Sequence, residues 1–274
     1  MDQYAVIGDP IQHSLSPQIH TLFAQQTEQM MQYRALQVPK ADFEQCVSDF
    51  FQAGGQGLNV TVPLKELAWQ FVDQRVELAE RAGAINTIAR QNNNQLYGYN
   101  TDGIGLVRDL CINQKLDLQG LKILLLGAGG AVRGVLQPLL SLQPQVLHIA
   151  NRTVSKARQL TIDFIDIAQQ SKVSLGHAAY TELAGESYDL IINGTSLSLQ
   201  AQVPPLPAGL VAGHSVVYDM AYSHSPTTFV QWGIQQGASS AIDGRGMLVE
   251  QAAVAFKLWR GVMPMTQPAF GVFN

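Results

Sequence analysis

Lys122-Ile-Leu-Leu-Leu-Gly-Ala-Gly-Gly-Ala-Val-Arg-Gly134 runs from an apolar stretch of strand length into clustered glycines and then into a helical pattern. That order is the signature of a pyrophosphate site. The glycines allow a tight turn and close approach of phosphates to the backbone, and the following helix offers unpaired N–H groups at the positive end of its dipole. The next apolar run, Val146-Leu-His-Ile-Ala150, is expected to end beside an adenosine ribose, and there the chain carries Asn151, Arg152 and Thr153, with Lys156 one turn on. An acidic residue at that point would bond a ribose 2′-hydroxyl and repel a 2′-phosphate; these residues do the reverse. Cations beside a helix N-terminus are unfavourable by roughly 0.3 to 1 kcal/mol each unless an anion accompanies them. The cluster predicts NADP rather than NAD, held by Gly127, Ala128, Gly129, Gly130, Ala131, Asn151, Arg152, Thr153 and Lys156. Strict G-x-G-x-x-G spacing fails at Val132, but Gly130, Ala131 and Gly134 keep a tight helix-to-strand contact in reach, in altered register.

A length of 274 residues accommodates two domains of ordinary size. Hydrophobic residues make up 46% and charged residues 14%, the latter well under the roughly 25% usual in soluble domains, so much of the chain must be buried. The formal net charge is −4 and no basic run occurs, which argues against a nucleic-acid surface. Cys46 and Cys111 are far apart and the six histidines show no ligand spacing, so neither a disulfide framework nor a metal site is expected. The N-terminus lacks a basic segment followed by an apolar core, and no apolar run approaches the ~20 residues that span a bilayer. A cytoplasmic protein without membrane partners is expected.

Short β-type runs at 4–8, 33–38 and 57–62 alternate with helical patterns near 17–29, 41–52 and 75–82, which is βαβ arithmetic. Asn86–Arg90 and Gln95–Tyr99, joined through Asn92-Asn93-Asn94, read as a hairpin closing a first domain, followed by a polar loop and a helix to about Ile112. A second series has strands at 122–126, 146–150, 188–192 and 215–219. The apolar spacing of Leu248, Ala252, Ala255, Phe256 and Trp259 predicts a helix over 247–262 that returns to the first domain. Two crossings of the chain predict an interdomain cleft, a common place for small ligands. The expected architecture is α/β with two α/β domains: a substrate domain at 1–101 plus 245–274, and a Rossmann-type NADP-binding domain at 102–244.

Outside the glycine loop, polar residues recur at the ends of predicted strands. Ser14-Leu-Ser-Pro17 offers two hydroxyls, although Ser16 before Pro17 also reads as a helix N-cap. Asn59 and Thr61 fall on one face of a strand, with Lys65 just past Pro63. Asn86 and Asp102 lie in loops, and Asp102 is equally a candidate cap for the helix that follows it.

In order along the chain, Ser14-Leu-Ser-Pro17, Asn59-Val-Thr-Val-Pro-Leu-Lys65, Gly83-Ala-Ile-Asn-Thr87, Gly98-Tyr-Asn-Thr-Asp-Gly103, Gly127-Ala-Gly-Gly-Ala131, Asn151-Arg-Thr153, Tyr218-Asp-Met-Ala-Tyr222 and Gly246-Met-Leu-Val-Glu-Gln251 resemble the shikimate dehydrogenase family over its whole length. The resemblance implies reversible reduction of 3-dehydroshikimate to shikimate by NADPH, a step towards chorismate and the aromatic amino acids. It further implies that Lys65 and Asp102 are the catalytic pair and that Ser14, Ser16, Thr61, Asn86, Tyr222 and Gln251 meet the substrate. Met220 and Gly244 would line the nicotinamide pocket, and Glu77 matches a cofactor-associated position. Val132, Lys156 and Ser225-Pro226 depart from the usual family pattern. A small-molecule substrate and a monomer or homodimer are expected.

Reducing a ring ketone needs a proton donor within about 3 Å of the developing alkoxide, and Lys65, held by Asp102, is the best candidate. Three other readings compete: an NAD-linked quinate/shikimate dehydrogenase, a methylene-tetrahydrofolate dehydrogenase-like enzyme and a dinucleotide-sensing module without turnover. Arg152, Thr153 and Lys156 oppose the first, the serine loop the second, and the presence of both Lys65 and Asp102 the third.

Overall fold

The computed structural model describes residues 1–273. By contacts the chain divides into two units, one made of Met1–Gly105 and the residues from Leu248 onward, the other of Leu106–Met247. The first unit contains β1 (Asp2–Gly8), α1 (Ser16–Gln26), β2 (Met31–Gln37), α2 (Phe43–Gln52), β3 (Gly55–Val60), α3 (Lys65–Phe71), β4 (Gln74–Arg75), α4 (Glu77–Ala82), β5 (Thr87–Arg90) and β6 (Leu96–Tyr99). Helix α5 (Asp102–Arg108) carries the chain across the division.

The first sheet runs β2-β1-β3-β5-β6-β4. Its β2, β1 and β3 are parallel, whereas β5 pairs antiparallel with both β3 and β6. Tyr4-Ala-Val-Ile7 is buried throughout, as a parallel strand covered on both faces must be. Phe43, Val47, Phe50 and Phe51 give α2 a helical apolar stripe against this sheet. The hairpin turns where expected, with Asn94 at φ 63°.

The second unit contains β7 (Lys122–Leu126), α6 (Gly130–Leu140), β8 (Val146–Ala150), α7 (Val154–Asp163), α8 (Ile165–Gln170), β9 (Ser174–Ala178), β10 (Tyr188–Asn193), β11 (Val211–Asp219), α9 (Thr228–Gln235) and β12 (Ser240–Ile242). Helix α10 (Arg245–Arg260) then returns to the first unit. All pairings in the order β12-β11-β10-β7-β8-β9 are parallel. The strand order reverses between β7 and β10, the switch point at which doubly wound sheets open a crevice beyond their carboxyl ends. The unbroken apolar run of β7 serves two cores: Ile123 and Leu125 pack with Val135 and Leu139, while Leu124 and Leu126 pack with Ile191, Val217 and Phe229.

The α/β two-domain expectation holds, with differences in detail. Helix α3 and strands β4, β9 and β12 were not read from the sequence; β4 and β12 span two and three residues, too few to display a period. Strand β3 ends at Val60 rather than Val62, because Pro63 has no N–H to extend the pairing. The helix expected to reach Ile112 ends at Arg108 and widens into one π turn, Asp109–Asn113. There the buried Asp109 carboxylate accepts from Tyr218 Oη at 2.6 Å and Asn113 Nδ2 at 3.0 Å. No described helix is long and apolar enough to cross a membrane.

An aromatic cluster ties α1, β2 and α10 together. His20 is fully buried and stacks on Tyr33 at 4.2 Å with 8° between the rings, with Trp259 at 5.4 Å and Phe256 at 6.2 Å. Burial, opposed only in part by the Asn59 side chain, pushes the imidazole down to about 3. The folded state therefore holds this ring neutral at pH values where the unfolded chain takes up a proton. The stabilisation is present in full above the unfolded value near 6.5 and is lost as pH falls towards the folded one. Chemical denaturation from pH 7 down to 4 should show wild-type stability falling on the order of 1 kcal/mol per pH unit more steeply than that of a His20→Leu variant. Parallel slopes would remove His20 as the cause.

Candidate active site

Lys65 opens α3, and its Nζ lies 2.6 Å from Asp102 Oδ2, with the side chains 23% and 10% exposed. Asn86, buried between β5 and the preceding loop, donates through Nδ2 to Asp102 Oδ1 at 2.8 Å. Its Oδ1 accepts from the Thr101 backbone N–H at 2.9 Å and from the Thr87 hydroxyl at 3.0 Å. Gln251 of α10 brings Oε1 to 3.2 Å from Asn86 Nδ2, and its own Nε2 is anchored on the Leu248 carbonyl at 2.9 Å. The first unit thus brings together Lys65, Asn86, Asp102 and Gln251. Asp102 is the first residue of α5; Asn100 Oδ1 accepts its N–H at 3.1 Å, and both carboxylate oxygens serve the site.

The capping reading of Ser16 is overturned. Ser16 is the first residue of α1, and Leu15 occupies the N-cap position without a capping side-chain bond of its own. Ser14 Oγ accepts the Ser16 N–H at 3.3 Å, and Ser16 itself is buried. Ser14 and Thr61 are half-buried. Tyr222 and Met220 belong to the second unit, and burial pushes the Tyr222 phenol above its ordinary value, so it stays a neutral donor. Glu77 opens α4 in the first unit and is exposed.

In the second unit the glycine loop follows β7 at the switch point. Gly127 has φ +110°, a conformation that side-chain-bearing residues rarely adopt. Gly129 is the N-cap of α6, no side chain caps the helix, and a Cβ there would meet nothing within 4 Å. With Gly129, Gly130 and Ala131 exposed, the free N–H groups of α6 face open space, an arrangement that fits a dinucleotide diphosphate. At the end of β8, Asn151 Nδ2 donates to the Thr153 carbonyl at 3.0 Å, shaping the turn before α7. Helix α7 has no acidic residue in its first turn, and among the described residues neither the Arg152 nor the Lys156 side chain has an ion-pair partner. Two cations at an uncapped helix start fit a 2′-phosphate.

Two supporting residues were given no role in the sequence reading. The buried Asp219 carboxylate accepts from Thr227 Oγ1 at 2.6 Å, Asn193 Nδ2 at 3.0 Å and the Ala221 N–H at 3.1 Å, fixing the turn that carries Met220 and Tyr222. Gly194 follows β10 directly, and its local signal was an Asn-Gly-Thr break after an apolar run.

Residues 6–88 match the family described as shikimate dehydrogenase substrate binding domain, residues 110–199 match shikimate / quinate 5-dehydrogenase, and residues 244–268 match the shikimate 5'-dehydrogenase C-terminal domain. A protein of Methylococcus capsulatus named shikimate dehydrogenase (NADP(+)) is 54% identical, covering 97% of this chain and 94% of its own length. The chain belongs to the shikimate dehydrogenase family. Among solved structures, an Ael1 enzyme from Pseudomonas putida is 42% identical with a TM-score of 0.92, covering 100% of this chain and 98% of that one. The Thermus thermophilus shikimate 5-dehydrogenase in complex with NADP(H) and shikimate is 29% identical with a TM-score of 0.86 and the same coverage.

Val132, the residue that breaks the glycine spacing, is accommodated beside two glycines. Its side chain is fully buried, and Cβ atoms built on Gly127 and Gly194 would lie 3.1 and 2.5 Å from its Cγ2. The valine occupies space that a side chain at 194 would otherwise take. Val132→Ala should therefore open a cavity under the loop and cost about 2 to 3 kcal/mol. Urea unfolding checks this, and an unchanged midpoint would mean that the site collapses onto the smaller residue.

Proposed function

We infer that this chain catalyses the reversible NADPH-dependent reduction of 3-dehydroshikimate to shikimate, a step towards chorismate and the aromatic amino acids. The observation that carries the reading is the Lys65–Asp102 pair, 2.6 Å apart and part-buried, whose second carboxylate oxygen is taken up by Asn86. NADPH, when bound, supplies hydride to the ketone carbon. The oxygen on that carbon then needs a proton, and Lys65 Nζ delivers it; in the oxidative direction the same atom receives the hydroxyl proton. Asp102 holds the ammonium in one orientation, and Asn86 holds Asp102. A positioned acid–base group of this kind typically contributes ~10² to 10⁴ in rate.

Ser14, Ser16, Thr61, Asn86, Tyr222 and Gln251 bind the carboxylate and hydroxyls of the substrate in this reading, all as neutral hydrogen-bonding groups. Gly127, Ala128, Gly129, Gly130 and Ala131 receive the cofactor diphosphate, and Asn151, Arg152, Thr153 and Lys156 its 2′-phosphate end. Met220 and Gly244 line the nicotinamide pocket, and Glu77 is the remaining cofactor-associated residue. The domain assignment follows: residues 1–101 with 245–274 take the substrate, and 102–244 take NADP. A cytoplasmic monomer or homodimer completes the reading.

Nicotinamide absorbance with shikimate and quinate against NADP and NAD tests the assignment. Turnover should be greatest with shikimate and NADP, and a preference for quinate or for NAD would overturn it. Lys65→Ala should lower turnover of shikimate by ~10² or more with little change in substrate binding. Near wild-type turnover would move the proton donor elsewhere, Tyr222 first. Arg152→Ala should cost NADP ~10- to 150-fold in kcat/KM, from the loss of one charge-assisted hydrogen bond, while NAD loses little. Lys156→Ala should do the same to a smaller degree, being a flexible point charge. Equal losses with both cofactors would mean that Arg152 does not read the phosphate.

A further inference from the structure

The threonine of Gly83-Ala-Ile-Asn-Thr87 has no role in the chemistry above, yet its hydroxyl lies inside the core of the first unit with no access to solvent. It is the middle of an uninterrupted series of hydrogen bonds. Tyr33 Oη donates to Asn59 Oδ1 at 2.7 Å, Asn59 Nδ2 to Thr87 Oγ1 at 3.0 Å, and Thr87 Oγ1 to Asn86 Oδ1 at 3.0 Å. Asn86 Nδ2 then donates to Asp102 Oδ1 at 2.8 Å, and Lys65 Nζ meets Asp102 Oδ2 at 2.6 Å.

Donor and acceptor inventories fix the direction of this series. A hydroxyl has one proton, and an Asn NH₂ can only donate. Because Asn59 presents its NH₂ to Thr87, the Thr87 proton has one place to go, which is Asn86 Oδ1. Together with the Thr101 backbone N–H, which donates to the same oxygen at 2.9 Å, that keeps the NH₂ of Asn86 turned to the carboxylate. The reverse amide orientation would set a carbonyl oxygen against Asp102. Tyr33 secures the far end: its stacking on His20 at 4.2 Å fixes the ring, and its donation to Oδ1 favours the Asn59 orientation on which the rest depends.

We propose that Thr87, backed by Asn59 and Tyr33, is a positioning residue that sets the orientation of Asn86 and through it the geometry of Asp102 and Lys65. The proposal rests on the reading of Lys65 and Asp102 as the catalytic pair. Thr87→Val removes the hydroxyl and keeps the shape; Thr87→Ser restores the hydroxyl.

The test is steady-state oxidation of shikimate by Thr87→Val, Thr87→Ser, Asn86→Ala and the Asn86→Ala/Thr87→Val double variant, with Tyr33→Phe as a second entry point if Thr87→Val fails to fold. Thr87→Val should lower kcat roughly tenfold through misplacement of the pair, with KM for shikimate changed by less than about twofold. Thr87→Ser should recover most of the rate. In the Asn86→Ala background Thr87→Val should have no further effect, because the residue through which it acts is gone. Unchanged kcat, an equal loss in both backgrounds, or a loss that serine does not rescue would each overturn the proposal, including the case in which only the melting temperature falls. If wild-type protein does not oxidise shikimate, the functional reading fails instead. The positioning claim is then decided by the Asn86 side-chain amide resonance in nitrogen-15 spectra, which Thr87→Val must shift and Thr87→Ser must leave in place.

Discussion

A carboxylate can be drawn out of water only when its lone pairs are met by protein donors, and Asp102 imposes that condition on most of the first unit. One oxygen requires Lys65, which places the start of α3 immediately after the turn at Pro63. The other requires the NH₂ of Asn86, which then needs donors for its own carbonyl oxygen and finds them in the Thr101 backbone and the Thr87 hydroxyl. Those demands fix how β5 enters the sheet and how the loop before α5 leaves it. The site is thus built from backbone and side-chain partners drawn from four separate stretches of the chain, none of which has a reason to be polar and buried on its own.

The second unit answers a different constraint, the need to leave charge unmet. The glycine loop ends in a helix whose N-cap has no side-chain acceptor, and the following helix begins with cations and no acid. Each feature is slightly unfavourable in isolation and becomes favourable when an anion arrives. Beside this loop the buried Asp219 carboxylate accepts from both Asn193 and Thr227 at the carboxyl ends of β10 and β11, where the turn bearing Met220 begins. The binding surface is open and its support is closed.

How much of this could be read in advance follows the reach of the signals. The strand, glycine cluster and helix of 122–140 are contiguous, so the switch point of the sheet was legible, as were the hairpin at Asn92–Asn94 and the return of α10. Lys65, Asn86 and Asp102 were legible as polar residues at strand ends, though their mutual contacts were not. Ser16 misled because a serine before proline has the sequence of a cap, while in the structure Leu15 takes that position and Ser16 is already the first residue of the helix. Thr87 stood in the sequence only as the end of Gly83-Ala-Ile-Asn-Thr87, because its link to Asn59 joins stretches far apart in the chain and a buried hydroxyl leaves no periodic trace. The strands β4 and β12 went unread because two or three residues cannot show a pattern.

The packing of Val132 against Gly194 couples two positions that lie on different elements of the nucleotide-binding unit. Between β7 and β10 there is room for one set of methyl groups, and here the helix supplies it while the strand end supplies none. Residue sizes at 132 and 194 are therefore not independent variables. A side chain acquired at 194 would require a smaller residue at 132 to remain compatible with the loop, and a lineage moving between the two solutions has to shrink 132 before it enlarges 194. The reverse order passes through a protein whose glycine loop is pushed out of place.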